Sequence, residues 1–377
     1  MKLTSYSLPH RAVAALCLVA SLAACSTADK IKPAELAPNV PLLGVRSAWT
    51  GRMGAVNFSL EPHVLGNTVT LAASDGTVAA LDAATGVDLW RAQVGAPITA
   101  GVGSDGKIAA VVTNANEVVA LEAGRVLWRQ KLPAQAYTAP LVAGGRVFVA
   151  TADRTVTALD GASGTRLWTQ QRPGDALVLK QSGVLLAVND TLVLGQSGRL
   201  LGLNPANGSV RWDVAIATSR GTNDVERLID LVGGVSRVGD SVCARAFQSS
   251  VGCVDAARGQ LLWSKKSIGS VGVHGDEKMV FGTEADGKVV AWKRSDGERA
   301  WSTDLLLHRG LSAPVLLGRS VVVGDSTGLL HLLSRDNGSA LNRLSTDGSA
   351  ITVRPALAGN TLVVVTRAGG IYGFVPE

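Results

Sequence analysis

Apolar residues fall in short runs along this chain, and each run stops at a turn signal. Between residues 139 and 168 four runs follow one another. Ala139-Pro-Leu-Val-Ala-Gly-Gly145 reads as a short strand and turn, and Arg146-Val-Phe-Val-Ala-Thr151 as a second strand. After the turn Ala152-Asp-Arg-Thr155, Val156-Thr-Ala-Leu-Asp160 is a third strand. Gly161-Ala-Ser-Gly164 turns again into Thr165-Arg-Leu-Trp168, the fourth. Asp75-Gly76, Asn207-Gly208, Asp286-Gly287 and Asn337-Gly338 mark further hairpins, because these residues tolerate positive φ. Helical period is nearly absent, and 43 glycines fit a chain of many short strands.

The pattern repeats as a whole. Asp75-Gly-Thr-Val-Ala-Ala-Leu-Asp-Ala-Ala-Thr-Gly-Val-Asp-Leu-Trp90 is matched at ten of its sixteen positions by the stretch from Asp153 to Trp168. Trp90, Trp128, Trp168, Trp212, Trp263 and Trp301 close six such units, at spacings of 38, 40, 44, 51 and 38 residues. A period near 40–45 residues with four strands per unit predicts propeller blades. A seventh unit, Ser326 to Leu341, carries Asn342 where Trp is expected. The C-terminal run Ala368-Gly-Gly-Ile-Tyr-Gly-Phe-Val375 is only the third strand of an eighth. Its missing fourth strand is Val45-Arg-Ser-Ala-Trp49, with Trp49 in register 41 residues before Trp90. The prediction is an all-β, eight-bladed β-propeller over residues 45–377, closed by pairing the N- and C-terminal strands so that no sheet edge is left free. The tryptophans are expected to pack between blades.

The first residues do not share the period. Lys2 and Arg11 precede the apolar run Ala12–Ala20, and Leu22-Ala-Ala-Cys25 resembles a bacterial lipobox. Residues 1–24 are therefore expected to be a lipoprotein signal peptide, with Cys25 lipidated after cleavage. Ser26, where Asp would favour inner-membrane retention, points to the periplasmic leaflet of the outer membrane. Residues 25–44, with Pro33, Pro38 and Pro41, read as a flexible tether. Loss of Lys2 and Arg11 lowers the net charge from +6 to +4, too modest to suggest nucleic acid. Cys243 and Cys253 lie symmetrically about Gln248 at a hairpin turn. Facing positions on two strands suit a disulfide, with a buried pair of thiols as the alternative.

Catalytic chemistry is sparse. Gly101-Val-Gly-Ser-Asp-Gly106 matches a dinucleotide fingerprint, but a strand-like run follows it where a helix is required. His63, His274, His308 and His331 have no metal-ligand spacing. Asp82, Asp160 and Asp255 recur at one place in the units closed by Trp90, Trp168 and Trp263, which suits a turn role. No catalytic residue, metal ligand or cofactor is assigned. The Leu-Asp-Ala-x-x-Gly-x-x-x-Trp pattern, as in Leu81–Trp90, resembles the blades of pyrroloquinoline-quinone dehydrogenases. That resemblance implies quinoprotein-like repeats and leaves a periplasmic dehydrogenase as the alternative function. Those enzymes are usually longer, and their calcium-site residues have no evident counterpart here.

Function is sought where the units depart from their own pattern. The longest spacing contains Ala217–Asp230, in which Asn223 and Glu226 have capping-box spacing and Val225, Leu228, Ile229 and Val232 follow at helical spacing. This predicts a short helical turn. The preceding link, Arg172–Gly183, is also irregular. Both links join an outer strand to the next inner strand, so they should be neighbours on one face. Leu177, Leu179 and Lys180 beside Glu226, Arg227 and Asp230 would give an apolar centre with a charged rim. The lipobox, the proline-containing tether, eight units of which seven are closed by Trp, and Asn-Asp-Val-Glu226-Arg-Leu-Ile-Asp230 together resemble the BamB family, lipoproteins of the outer-membrane β-barrel assembly machinery. The resemblance implies a non-enzymatic scaffold that binds the POTRA domains of BamA, works beside the other Bam lipoproteins, and has nascent β-barrel proteins as clients. It places Leu177, Leu179 and Lys180, with Glu226 and Asp230, at the BamA contact. Lys180 stands where the family often has Arg, and Val232 where a second acid is usual.

Overall fold

The computed structural model describes residues 31–173, 177–218 and 228–377, and every regular element among them is a β-strand. The strands form eight four-stranded antiparallel sheets. Seven are sequential meanders: residues 63–93, 103–131, 141–171, 185–215, 231–266, 273–303 and 315–345, blades one to seven. In the eighth, the strands Ala356–Ala358, Thr361–Val365 and Gly370–Pro376 take Val45–Arg52 as their outer strand. Trp49 lies opposite Gly373, and the pairing runs from Val45 with Pro376 to Arg52 with Gly370. The closure expected from the sequence is therefore present.

The second and third strands of each blade are almost wholly buried, as Val69, Leu71, Val78 and Leu81 in the first blade illustrate. The outer strands alternate exposed and half-buried residues, with the Trp on the half-buried side. Each Trp reaches into the next blade. The indole N–H of Trp49 donates to the Ala83 carbonyl (2.9 Å), Trp128 to Gly161 (2.8 Å), Trp168 to Pro205 (2.9 Å) and Trp301 to Arg335 (2.8 Å). The ring covers a turn glycine of that neighbour. A Cβ on Gly86 would stand 2.4 Å from the Trp49 ring, and one on Gly164 2.6 Å from Trp128, and both glycines have φ near +72°. Any side chain there is thus excluded twice, by the ring and by the backbone. The unit motif is a lock between blades, with Gly as one half and Trp as the other.

Asn342 becomes intelligible in this frame. The eighth blade has no turn between its third and fourth strands, because its fourth strand is Val45–Arg52. No glycine awaits a ring. Asn342, opposite Leu332 in the Trp register, instead donates to the Leu43 carbonyl (2.7 Å), the same bond across the seam in miniature.

Part of the stretch expected to be a tether packs against the blades. From Ala34 onward the chain is seated on the disc. Ala34 N donates to Leu307 O (2.9 Å), and Leu42 N to Leu341 O (2.7 Å). Asn39 bonds Asn342 and the Arg343 carbonyl, and Leu36 packs with Leu306 and Leu333. The prolines deny this segment a period, so its side-chain seating left no pattern to read. The signal peptide and Cys25 lie outside the described residues.

Candidate functional site

The links that run from each outer strand to the next inner strand gather on one face, and on the side of blades three to six they are tied to one another. Gly183 N donates to Thr138 Oγ1 (2.9 Å), Gly233 N to Ser182 O (2.7 Å), and Gln181 Nε2 to Ser270 O (2.6 Å). These bonds cross three blade boundaries, so the end of the irregular link, Gln181 to Gly183, is held in a fixed place. Within it Leu177 is 41% exposed, Leu179 is half-buried and Lys180 is exposed.

Asp230, expected at the charged rim, is half-buried and also has a part within the fold. The sequence placed it in a solvated rim; the structure turns its carboxylate inward. Oδ2 accepts the Leu179 N–H (3.0 Å) and Oδ1 the Ser197 N–H (3.3 Å). Asp230 therefore latches the Leu177–Lys180 link to the root of the next one. Beside this latch is a cavity of about 90 Å³, lined among others by Tyr137, Thr138, Arg154, Leu179, Gln181 and Asp230. Arg154 also donates to the Leu177 carbonyl (3.4 Å). The structure thus brings Leu177, Leu179, Lys180 and Asp230 together. Glu226 and Arg227 lie outside the described residues, as does most of the expected helical turn. Its last member, Val232, is not helical: it is a strand residue, 1% exposed and opposite Arg245, because the inner strand of the fifth blade claims it.

The other sequence candidates are structural. Asp82 accepts from the hydroxyl and N–H of Thr85, and Asp160 from those of Ser163, which holds both carboxyls below the usual range. Asp255 accepts from Ala257 and Arg258 N–H in the same turn. Asp105 caps the turn that resembled a nucleotide loop, accepting from Lys107 and Ile108. Cys243 and Cys253 face each other in register, and their sulfurs are joined in a disulfide. Among the described residues, no three His, Cys, Asp or Glu side chains stand together in a way that could hold a metal ion.

The central channel holds two histidines that the sequence did not distinguish. A cavity of about 510 Å³ is lined among others by Glu61, His63, Ser104, Ser182, His274 and Arg354. Arg354 pairs loosely with Glu61 at 3.8 Å. Burial, then the charges of Arg354 and Arg294, push the His274 imidazole down to about 4. His63 is lowered by burial as well. Both Nδ1 atoms are buried without a hydrogen-bond partner. The pH consequence has a definite sign. The folded pKa of His274 lies below the unfolded value of 6.5, so the unfolded chain binds more protons between the two. Stability is expected to fall as pH drops from about 6.5 towards about 4, by at most about 3.5 kcal/mol from this residue. Urea midpoints at neutral pH and at pH 5 measure it: His274→Gln should flatten the dependence, and an unchanged slope would exclude His274 as the source.

The family model described as outer membrane protein assembly factor BamB, of PQQ-type repeats, matches residues 74–303. The BamB proteins of Burkholderia pseudomallei (37% identical, covering 100% of this chain and 99% of that one) and Bordetella pertussis (35%, 91% and 90%) are similar over nearly their whole lengths. Among solved structures, that of BamB from Moraxella catarrhalis superposes with a TM-score of 0.80 over 88% of this chain and 99% of that one, at 24% identity. The quinohemoprotein alcohol dehydrogenase of Comamonas testosteroni superposes with a TM-score of 0.68 at 14% identity, covering 89% and 78%, a likeness of fold.

Proposed function

We propose, from the premise that this chain belongs to the BamB family of outer membrane protein assembly factors, that it is a non-enzymatic scaffold that docks on the POTRA domains of BamA through the Leu177–Lys180 link. In this reading Cys25 carries the lipid that holds it at the periplasmic side of the outer membrane, and it assists insertion of β-barrel proteins alongside the other Bam lipoproteins. One observation carries the reading: the two links that break the repeat are the ones latched together by Asp230, leaving Leu177 outward on a fixed frame. A presented apolar side chain on a rigid backbone suits an interface anchor, because little freedom is lost on binding.

The test is a pull-down of BamA from detergent-solubilised envelope. Truncating interface anchors typically costs about 2 kcal/mol or more, so Leu177→Ala with Leu179→Ala should lower BamA recovery by roughly tenfold or more. Asp230→Asn should act in the same direction by loosening the link, and its effect should depend little on salt because the carboxylate is turned inward. Substitutions in the Asp286-Gly287 turn should leave recovery unchanged. Patch variants that fold, reach the membrane and bind BamA like the parent would refute the docking site.

A further inference from the structure

The seated N-terminal segment has a geometric consequence. If Cys25 is the anchor, only nine residue steps separate it from Ala34, a reach of at most about 32 Å at full extension. A tether running to Val45 would have twenty steps and reach roughly 70 Å. Seating residues 34–44 on the disc therefore halves the leash and fixes where it leaves.

The point of departure is firmly held. The Ala34 carbonyl accepts from Arg309 Nη1 (3.0 Å), and Arg309 is 8% exposed. Arg309 Nε pairs with the buried Asp325 carboxylate (2.8 Å), which His331 also meets (2.9 Å). Burial opposes the Asp325 charge, but the donors from His331, Leu329, Thr327 and Arg309 outweigh it and hold the carboxyl far below the usual range. This network ties the start of the segment to the rim between blades six and seven. Along that rim, Val40 is 66% exposed, Leu42 59% and Leu305 46%. They flank a cavity of about 240 Å³ whose walls include Leu36, Leu306 and Leu333. Arg343 and Arg319 hold the carbonyls of Ala37 and Leu42, which places two guanidiniums beside these apolar side chains. Glu35 is the acidic side chain among the residues lining this cavity.

We propose that this short leash holds the rim of blades six and seven against the membrane, with Val40, Leu42 and Leu305 meeting the lipid surface and Arg319 and Arg343 beside its phosphates. The proposal rests on the lipid-anchor reading of Cys25. Leash length selects this rim, since other outer strands also expose apolar pairs, such as Val126 with Leu127 on the second blade. Apolar side chains with neighbouring cations are the composition that an interfacial site needs.

The experiment uses the mature lipidated chain in vesicles of phosphatidylethanolamine with a minor fraction of phosphatidylglycerol, some bearing brominated acyl chains. With Cys243 and Cys253 joined and Cys25 acylated, one introduced cysteine is the sole reactive thiol. An environment-sensitive fluorophore is placed at Val40→Cys, Leu305→Cys or, as control, Leu127→Cys. Quenching at Val40 and Leu305 should exceed that at Leu127 several-fold. A Gly/Ser insertion after Thr27 as long as the seated segment should reduce it to the control level. Equal quenching at the two rims overturns the proposal, and so does quenching at Val40 that survives the insertion. Cys25→Ser, fractionated from cells, separates the two ideas: a chain that stays in the membrane fraction overturns the anchor reading and this proposal with it, whereas its release together with equal quenching overturns only the proposal.

Discussion

Deletion of residues 370–377 is expected to abolish the cooperative melt of the disc. The deleted strand is the third of the eighth blade, between Thr361–Val365 and Val45–Arg52. Its loss removes the buried Ile371 and Phe374, each worth roughly 1.5–3 kcal/mol of burial. It also strands Val45–Arg52, which then has no sheet to pair with, and frees Trp49 from Gly373. Two raw sheet edges appear where the ring had none. Any one of these losses is a large part of an ordinary folding free energy. Near-ultraviolet circular dichroism on heating measures the outcome: a truncated chain with the parent's transition would show that the ring does not depend on its seam.

The second large effect is expected at Glu284. Arg245 has no exposed side-chain surface, and none of its three guanidinium nitrogens has a hydrogen-bond partner in the described structure. Glu284 Oε1, at 3.6 Å, is the charge that faces it, and the Trp292 ring lies 5.9 Å from its Cζ. Burial followed by the opposing pull of Glu284 leaves the guanidinium lowered to about 10, still charged at neutral pH. The carboxylate also accepts from Ser267 Oγ (2.7 Å) and Ile268 N (2.5 Å). Glu284→Gln leaves a buried cation without its counter-charge, a change that costs about 3–5 kcal/mol in comparable pairs. Pairing it with Arg245→Met removes the orphaned charge and should recover much of the loss. Urea midpoints of the single and double variants test this, and a Glu284→Gln midpoint at the parent's value would show that the pair carries no weight.

These two effects differ in how far the sequence announced them. The seam was legible, because Trp49 keeps the period of the other tryptophans and the C-terminal run stops one strand short. The Arg245 pair was not. Its burial depends on Gly269 and Gly282, whose missing side chains leave the space that the guanidinium fills, and those glycines belong to the next link and the next blade. No spacing within one unit encodes a contact between two. The same holds for the site. The irregular links stood out as breaks in a repeat, so Leu177, Leu179, Lys180 and Asp230 could be named. That Asp230 faces Leu179 and Ser197 instead of water follows from how two loops cross in space. Val232, the last position of the helical spacing, belongs to a strand, because apolar residues in a short loop fit either a turn of helix or the start of a buried strand. Asn342 was visible as an exception, but its partner Leu43 is nearly three hundred residues away.

The seam also orders events in time. Val45–Arg52 is synthesised more than three hundred residues before Gly370–Pro376, the strand it pairs with, and the Gly44 carbonyl meets the Glu377 N–H only once that strand has been made. Through all of that interval an outer strand bearing Trp49 waits without a sheet. A chain emerging N-terminus first thus spends most of its birth with one adhesive strand uncommitted, and an early strand waits for a late one.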